Sequence, residues 1–121
     1  MALVNSQQTY SPTGQTEADD RAKEIASWTI ERATERALSE GIDLSINHIT
    51  VLTFLRTFYV KHGWPKSTHE LTRVLDNEFA ELGGNKFLHE LFPDGPIAQA
   101  TRLAGVPTPD YAVDKSFGST Y

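Results

Sequence analysis

The chain has no cysteine, so its four histidines are its most versatile reactive groups. The missing thiol removes disulfides, thiolate metal sites and cysteine nucleophiles together. Metal binding by histidine needs convergent spacing, such as an i, i+4 pair on one helix. His62 and His69 instead flank a turn, while His48 and His89 have no local partner. No metal site is expected. No cofactor is implied either, because neither GG at 83–84 nor GPI at 95–97 fits a GxGxxG or Walker A cradle. His48, near the start of a predicted helix, is the best single candidate for acid–base work. A local hydrogen bond in the first turn is the more ordinary use of such a residue. His89 belongs to HELF, an amphipathic turn with Leu88, Leu91 and Phe92 inward.

A second constellation points to nucleic acid. Two helices joined by GWPKS resemble a helix-turn-helix element with residues 67–82 as the reading helix. Lys66, Ser67, Thr68, His69 and Arg73 would then meet phosphates and base edges. Asp76, Glu78 and Glu81 on the same element oppose that use, and the formal net charge is −5 with no basic segment. Phosphate neutralisation supplies most non-specific affinity for nucleic acid, so a reader normally shows a basic face.

These residues must be held by a single small core, which is what 121 residues can build. Residues 1–15 read as a β-hairpin and loop, 16–105 as a helical core, and 106–121 as a mobile arm. Thr16 opens a first helix with Asp19 three residues on, and the alanine-rich stripe predicts that it runs from 17 to about 40, where Gly41 stops it. Ser45 opens a second, 46–62, apolar around most of its circumference and therefore central, with Gly63 at its end. Ser67 and Glu70 form a capping box for a third helix to 82, with Leu71, Val74, Leu75, Phe79 and Leu82 inward. Gly83–Gly84 breaks the chain before a short helix that Pro93 ends. Gly95–Pro96 starts the last helix, closed by Gly105. Pro107 and Pro109 stiffen an arm read as projecting from the body. No apolar run reaches membrane-spanning length and the N-terminus lacks signal-peptide features, so the expected compartment is the cytoplasm with no membrane partner.

The block EGIDLSINHITVLTFLRTFYVKHGWPKSTHELTRVL resembles the centre of the DsrC/TusE sulfur-relay family, and GGNKFLHELFPDGPIAQATRLAGVPTP is similar to that family's arm region. Trp28 also falls where the family has a tryptophan. The resemblance implies a mainly α fold with a small N-terminal β-hairpin, a helix-turn-helix-like element and an extended C-terminal arm. In sulfur-carrying members a penultimate cysteine on that arm takes up sulfur as a persulfide and visits partners. Those partners are dissimilatory sulfite reductase or the TusBCD complex, and an upstream cysteine can pair with the carrier.

This sequence departs from the family at its chemical positions. Thr101 stands where the upstream cysteine belongs and Ala112 where the carrier belongs. Val113, normally the last residue, is followed by 114–121, and Ile49 replaces the tryptophan after His48. Neither threonine nor alanine can hold persulfide sulfur, which needs a polarizable thiolate. The expectation is a non-catalytic protein of sulfur metabolism, with no enzyme activity of its own. It would dock on relay partners through exposed Lys86 and Arg102, together with Val106, Pro107, Pro109, Tyr111, Ala112 and Val113. A DNA-binding regulator using the residues named above is the alternative, and a sulfurtransferase label by homology is a third reading. Oligomeric state is left open.

Overall fold

The computed structural model describes residues 16–112, which form six α-helices: α1 (Glu17–Glu24), α2 (Ile30–Ser39), α3 (Ile46–His62), α4 (Thr68–Glu78), α5 (Gly84–Leu91) and α6 (Pro96–Ala104). The mainly α class follows from the sequence periodicity. The expected hairpin at 1–15 lies outside the described residues.

The helix starts follow local chemistry. Thr16 and Asp19 make a reciprocal capping box, each side chain accepting the other's backbone N–H. Ser45 and Ser67 likewise accept an N–H three residues on. At Ser67 the expected return bond from the Glu70 side chain to the cap backbone is replaced by a hydroxyl donating to Oε1 at 3.4 Å.

The single helix expected over 17–40 is two. Thr29 adopts an extended conformation and caps α2 by accepting the Arg32 N–H at 3.1 Å. Trp28 turns inward there, and its indole N–H donates to the Leu103 carbonyl at 2.8 Å. A long-range bond from this half-buried indole outweighs the weak local preference for continuing a helix, and Ser and Thr compete for caps in any case.

α3 is central, as its all-round apolar pattern requires. It packs chiefly on α6 and α1 and buries His48, Val51, Leu52, Leu55 and Tyr59. The Tyr59 hydroxyl donates to Glu24. Burial, and then that carboxylate, push its pKa up to about 12.

α4 stops at Glu78, four residues short of the expected end. Phe79 enters the core, residues 80–82 form one 3₁₀ turn, and Leu82, expected inward, is 54% exposed. Asp76 explains the early stop, because its Oδ1 accepts the Asn85 N–H at 2.8 Å and so caps α5 from another helix. Gly84 is buried against that carboxylate, where a side chain would collide with it. α4 therefore packs on α5 more than on α3.

Residues 106–112 do not project. Val106 and Pro109 are buried, Trp64 Nε1 donates to the Pro107 carbonyl at 2.7 Å, and the Tyr111 hydroxyl donates to the Pro65 carbonyl at 2.9 Å. The proline-stiffened stretch is extended, but it lies along the α3–α4 connection and ends in a 3₁₀ turn, Asp110–Ala112. Proline lacks an N–H but keeps its carbonyl, so such a segment docks through the acceptors it retains.

Candidate docking site around the arm

The two positions that carry thiols in the resembling family have different surroundings here. Thr101 on α6 is fully buried and its hydroxyl donates to the Ile97 carbonyl at 2.6 Å. Its oxygen is also 3.0 Å from the Thr108 hydroxyl. A hydroxyl has one donor and two acceptor sites, so Thr101 can donate into its own helix and accept from Thr108. The pair ties α6 to the arm.

Ala112 is half-buried at the far end of the arm. It lines a groove of about 290 Å³ with Thr72 and Leu75 of α4, Asn85 and His89 of α5, and residues 95–98. The groove holds polar groups but no thiol. His89 Nδ1 lies 3.2 Å from the Asn85 carbonyl, a bond within its own helix.

What places these positions is a frame of polar residues that join distant elements. His48 caps its own helix: Nδ1 accepts the Ser45 N–H at 3.0 Å, while Nε2 donates to the Leu91 carbonyl at 2.9 Å. With both ring nitrogens engaged, His48 holds the start of α3 to the end of α5 and is not free for acid–base work. Arg56 donates to the Ala104 carbonyl at 2.8 Å and the Ile25 carbonyl at 2.9 Å. Its guanidinium also sits 4.4 Å from the Trp28 ring centroid. Gln99, 1% exposed, accepts the Asp94 N–H and donates to Glu40 at 3.0 Å. Gly105 closes α6 with φ +69°, under the Trp28 indole, where a Cβ would collide.

Glu40 also accepts from Arg102 at 2.8 Å and pairs with Arg36 at 3.4 Å. The Arg102 bond, opposed by burial and helped by Gln99, holds its carboxyl below the usual 4.5. A folded-state value below the unfolded one means that this contribution is present above the unfolded value. It is lost as pH falls through the folded one. Acid titration of stability should therefore show a steeper loss below about pH 4.5 in the parent chain than in Glu40→Gln. Equal slopes by circular dichroism would show that the bond sets no part of the acid response.

Of the residues expected to meet a partner, Lys86 is exposed and makes no hydrogen bond or ion pair among the described residues. Pro107, Tyr111 and Ala112 are half-buried on the docked arm. Val106 and Pro109 are buried, so the body uses them rather than the surface. Arg102, expected to be exposed, is half-buried and paired with Glu40, because helix α6 aims it across to the end of α2. Val113 lies outside the described residues.

Of the residues expected to meet DNA, Lys66, Thr68, His69 and Arg73 are exposed around the start of α4, while Ser67 is spent on the cap. Glu70, Asp76 and Glu78 are exposed on the same helix. Among the described residues, no three of His, Asp and Glu converge to hold a metal, and no helix is long and apolar enough to cross a membrane.

Arg56, Glu40, Gln99 and Thr108 carry roles that periodicity did not reveal. The signal was in the motifs FLR, EGI, GPIAQA and VPTP, whose polar letters are costly to bury without partners.

Fold and site together define a small helical protein whose polar frame holds a short C-terminal arm against its own body. The chain belongs to the DsrC-like family: the model for "DsrC like protein" matches residues 10–113. Among curated proteins it is 39% identical over 95 residues to Sulfurtransferase TusE of Salmonella choleraesuis, covering 78% of this chain and 87% of the relative. It is 38% identical over 96 residues to Sulfurtransferase TusE of Escherichia coli K12, covering 78% and 88%. Among solved structures it is similar to the NMR structure of Allochromatium vinosum DsrC. That match has a TM-score of 0.62 and 31% identity over 74% of this chain and 80% of the other.

Proposed function

We propose that this protein binds the partners of a sulfur relay without carrying sulfur itself. The observation that carries the reading is that the frame around the arm is complete while the two thiol positions hold Thr101 and Ala112. Transfer of sulfane sulfur requires a thiolate to attack a persulfide and to hold the sulfur as a new persulfide. A chain with no cysteine lacks the group that does this. What it retains is a shape, so its role is occupancy of a partner's docking surface, as a regulator or a competitor. Candidate partners are a dissimilatory sulfite reductase and a TusBCD-type complex, in the cytoplasm.

The surface offered comprises Lys86 and the outward parts of Pro107, Tyr111 and Ala112. Tyrosine is a residue type that concentrates binding energy at interfaces, and an exposed cation adds charge complementarity to a partner. Calorimetric titration of the full chain against each candidate complex should give saturable binding to at least one. Tyr111→Ala and Lys86→Glu should weaken it by about tenfold each. Absence of binding to both complexes would overturn the reading. The DNA alternative ranks lower because α4 presents three carboxylates beside its cations and leans on α5.

A further inference from the structure

A second concavity lies away from the arm, between α2 and the C-terminal end of α6. It has a volume of about 190 Å³, and three arginines line it: Arg32 and Arg36 from successive turns of α2, and Arg102 from α6. Ser27 and Trp28 complete one wall, and Ala33, Leu103 and Gly105 the rest. In a chain with a formal net charge of −5, such a concentration of positive charge calls for a physical account.

Internal pairing accounts for only part of it. Glu40 is shared between Arg36 and Arg102, and Asp94 adds a weaker attraction on Arg102. Neither carboxylate lines the concavity. Arg32 makes no side-chain hydrogen bond or ion pair among the described residues, and neither does the Ser27 hydroxyl. Arg36 uses one nitrogen at 3.4 Å and Arg102 one at 2.8 Å. Each guanidinium has five N–H donors in a planar fork, so most of the donors around this concavity are unspent. That fork matches the paired oxygens of an oxyanion. The size fits as well: about 190 Å³ leaves room for a tetrahedral anion and some solvent.

We propose that the notch formed by Arg32, Arg36 and Arg102 binds a small inorganic oxyanion of the sulfate or phosphate kind. Arg32 and Arg36 supply the open forks, and Arg102, fixed by Glu40, provides the rigid wall. The site is independent of the docking role, since none of its residues belongs to the arm or to the Ala112 groove.

The test is an NMR titration of the full chain with sodium sulfate and with sodium phosphate, against sodium chloride at matched ionic strength. The amides of Ser27, Ala33 and Gly105 should move saturably with one anion per chain and stay still in chloride. Arg32→Gln, which removes no internal bond, should weaken binding by about tenfold, the scale of one charge-assisted hydrogen-bonding group. Arg73→Gln, outside the notch, should bind as the parent does. Equal shifts in chloride, or unchanged affinity in both Arg32→Gln and Arg36→Gln, would overturn the proposal. So would saturable binding of a glutamate-rich peptide with none of either anion, since the notch would then receive a protein side chain.

Discussion

The Ala112→Cys variant, given a persulfide donor, should take up one sulfur atom per chain, while the parent takes up none. The reaction balances simply: the introduced thiolate attacks the outer sulfur of the donor persulfide, a carbon-bound thiolate leaves the donor, and the new persulfide remains on the chain. No oxidant is needed. The parent has no cysteine and so no thiolate to make that attack. Ala112 is half-buried beside a groove lined by Asn85 and His89, so a sulfur there would be reachable and would have polar neighbours. Intact-mass spectrometry before and after reduction reads the result as a removable gain of one sulfur mass. A reducible gain of sulfur mass on the parent chain would end the non-carrying reading. A reduced, alkylatable thiol in the variant that gained no sulfur would show that the arm is not presented as a relay arm.

Arg56→Met should be the most damaging single change to stability that leaves the apolar core in place. Methionine keeps much of the hydrophobic stem but strands the Ala104 carbonyl at the end of α6 and leaves the Ile25 carbonyl only the long 3.5 Å bond from the Trp28 N–H. It also removes the cation over Trp28. Hydrogen bonds to charged groups are worth about 1.5–3 kcal/mol each, but half-exposure lets water recover part of that, so a loss of about 3 kcal/mol is expected. That is a large share of the ~5–15 kcal/mol that holds a domain of this size. Urea denaturation of the two chains measures it. A loss under about 1 kcal/mol would mean that water replaces the guanidinium almost fully. Arg56→Lys should fall between the two, because one ammonium cannot span both carbonyls as a fork does.

Much of the fold was legible because it follows from local rules. The caps at Thr16, Ser45 and Ser67, the stops at Gly63 and Gly105, and the all-round apolar face of 46–62 each depend on residues within a turn of one another. The errors share one cause. The helix expected over 17–40 breaks because Trp28 is drawn to a carbonyl 75 residues away. The helix expected to reach 82 ends early because Asp76 caps a different helix. Leu82 keeps its place in the periodic pattern, yet with the helix gone it has no core to face. In both helices a partner outside the helix overrode a local propensity worth a fraction of a kcal/mol.

The candidate site divides in the same way. That the chain offers no thiolate was legible from composition alone, wherever the fold places its residues. The family was legible as well, from HITVLTFLR, LFPDGP and RLAGVPTP. Where the arm lies was not. A stretch with two prolines reads as a stiff projection, because proline limits φ and removes donors, and both properties are visible in sequence. Its docking depends on carbonyls at 65 and 107 meeting Tyr111 and Trp64, and on a hydroxyl pair, Thr101 and Thr108, that only the turn at Gly105 brings together. By itself the sequence determined which groups exist and which helices can start. Tertiary structure decided which distant donors meet which acceptors, since that depends on three-dimensional proximity and no spacing rule along the chain encodes it.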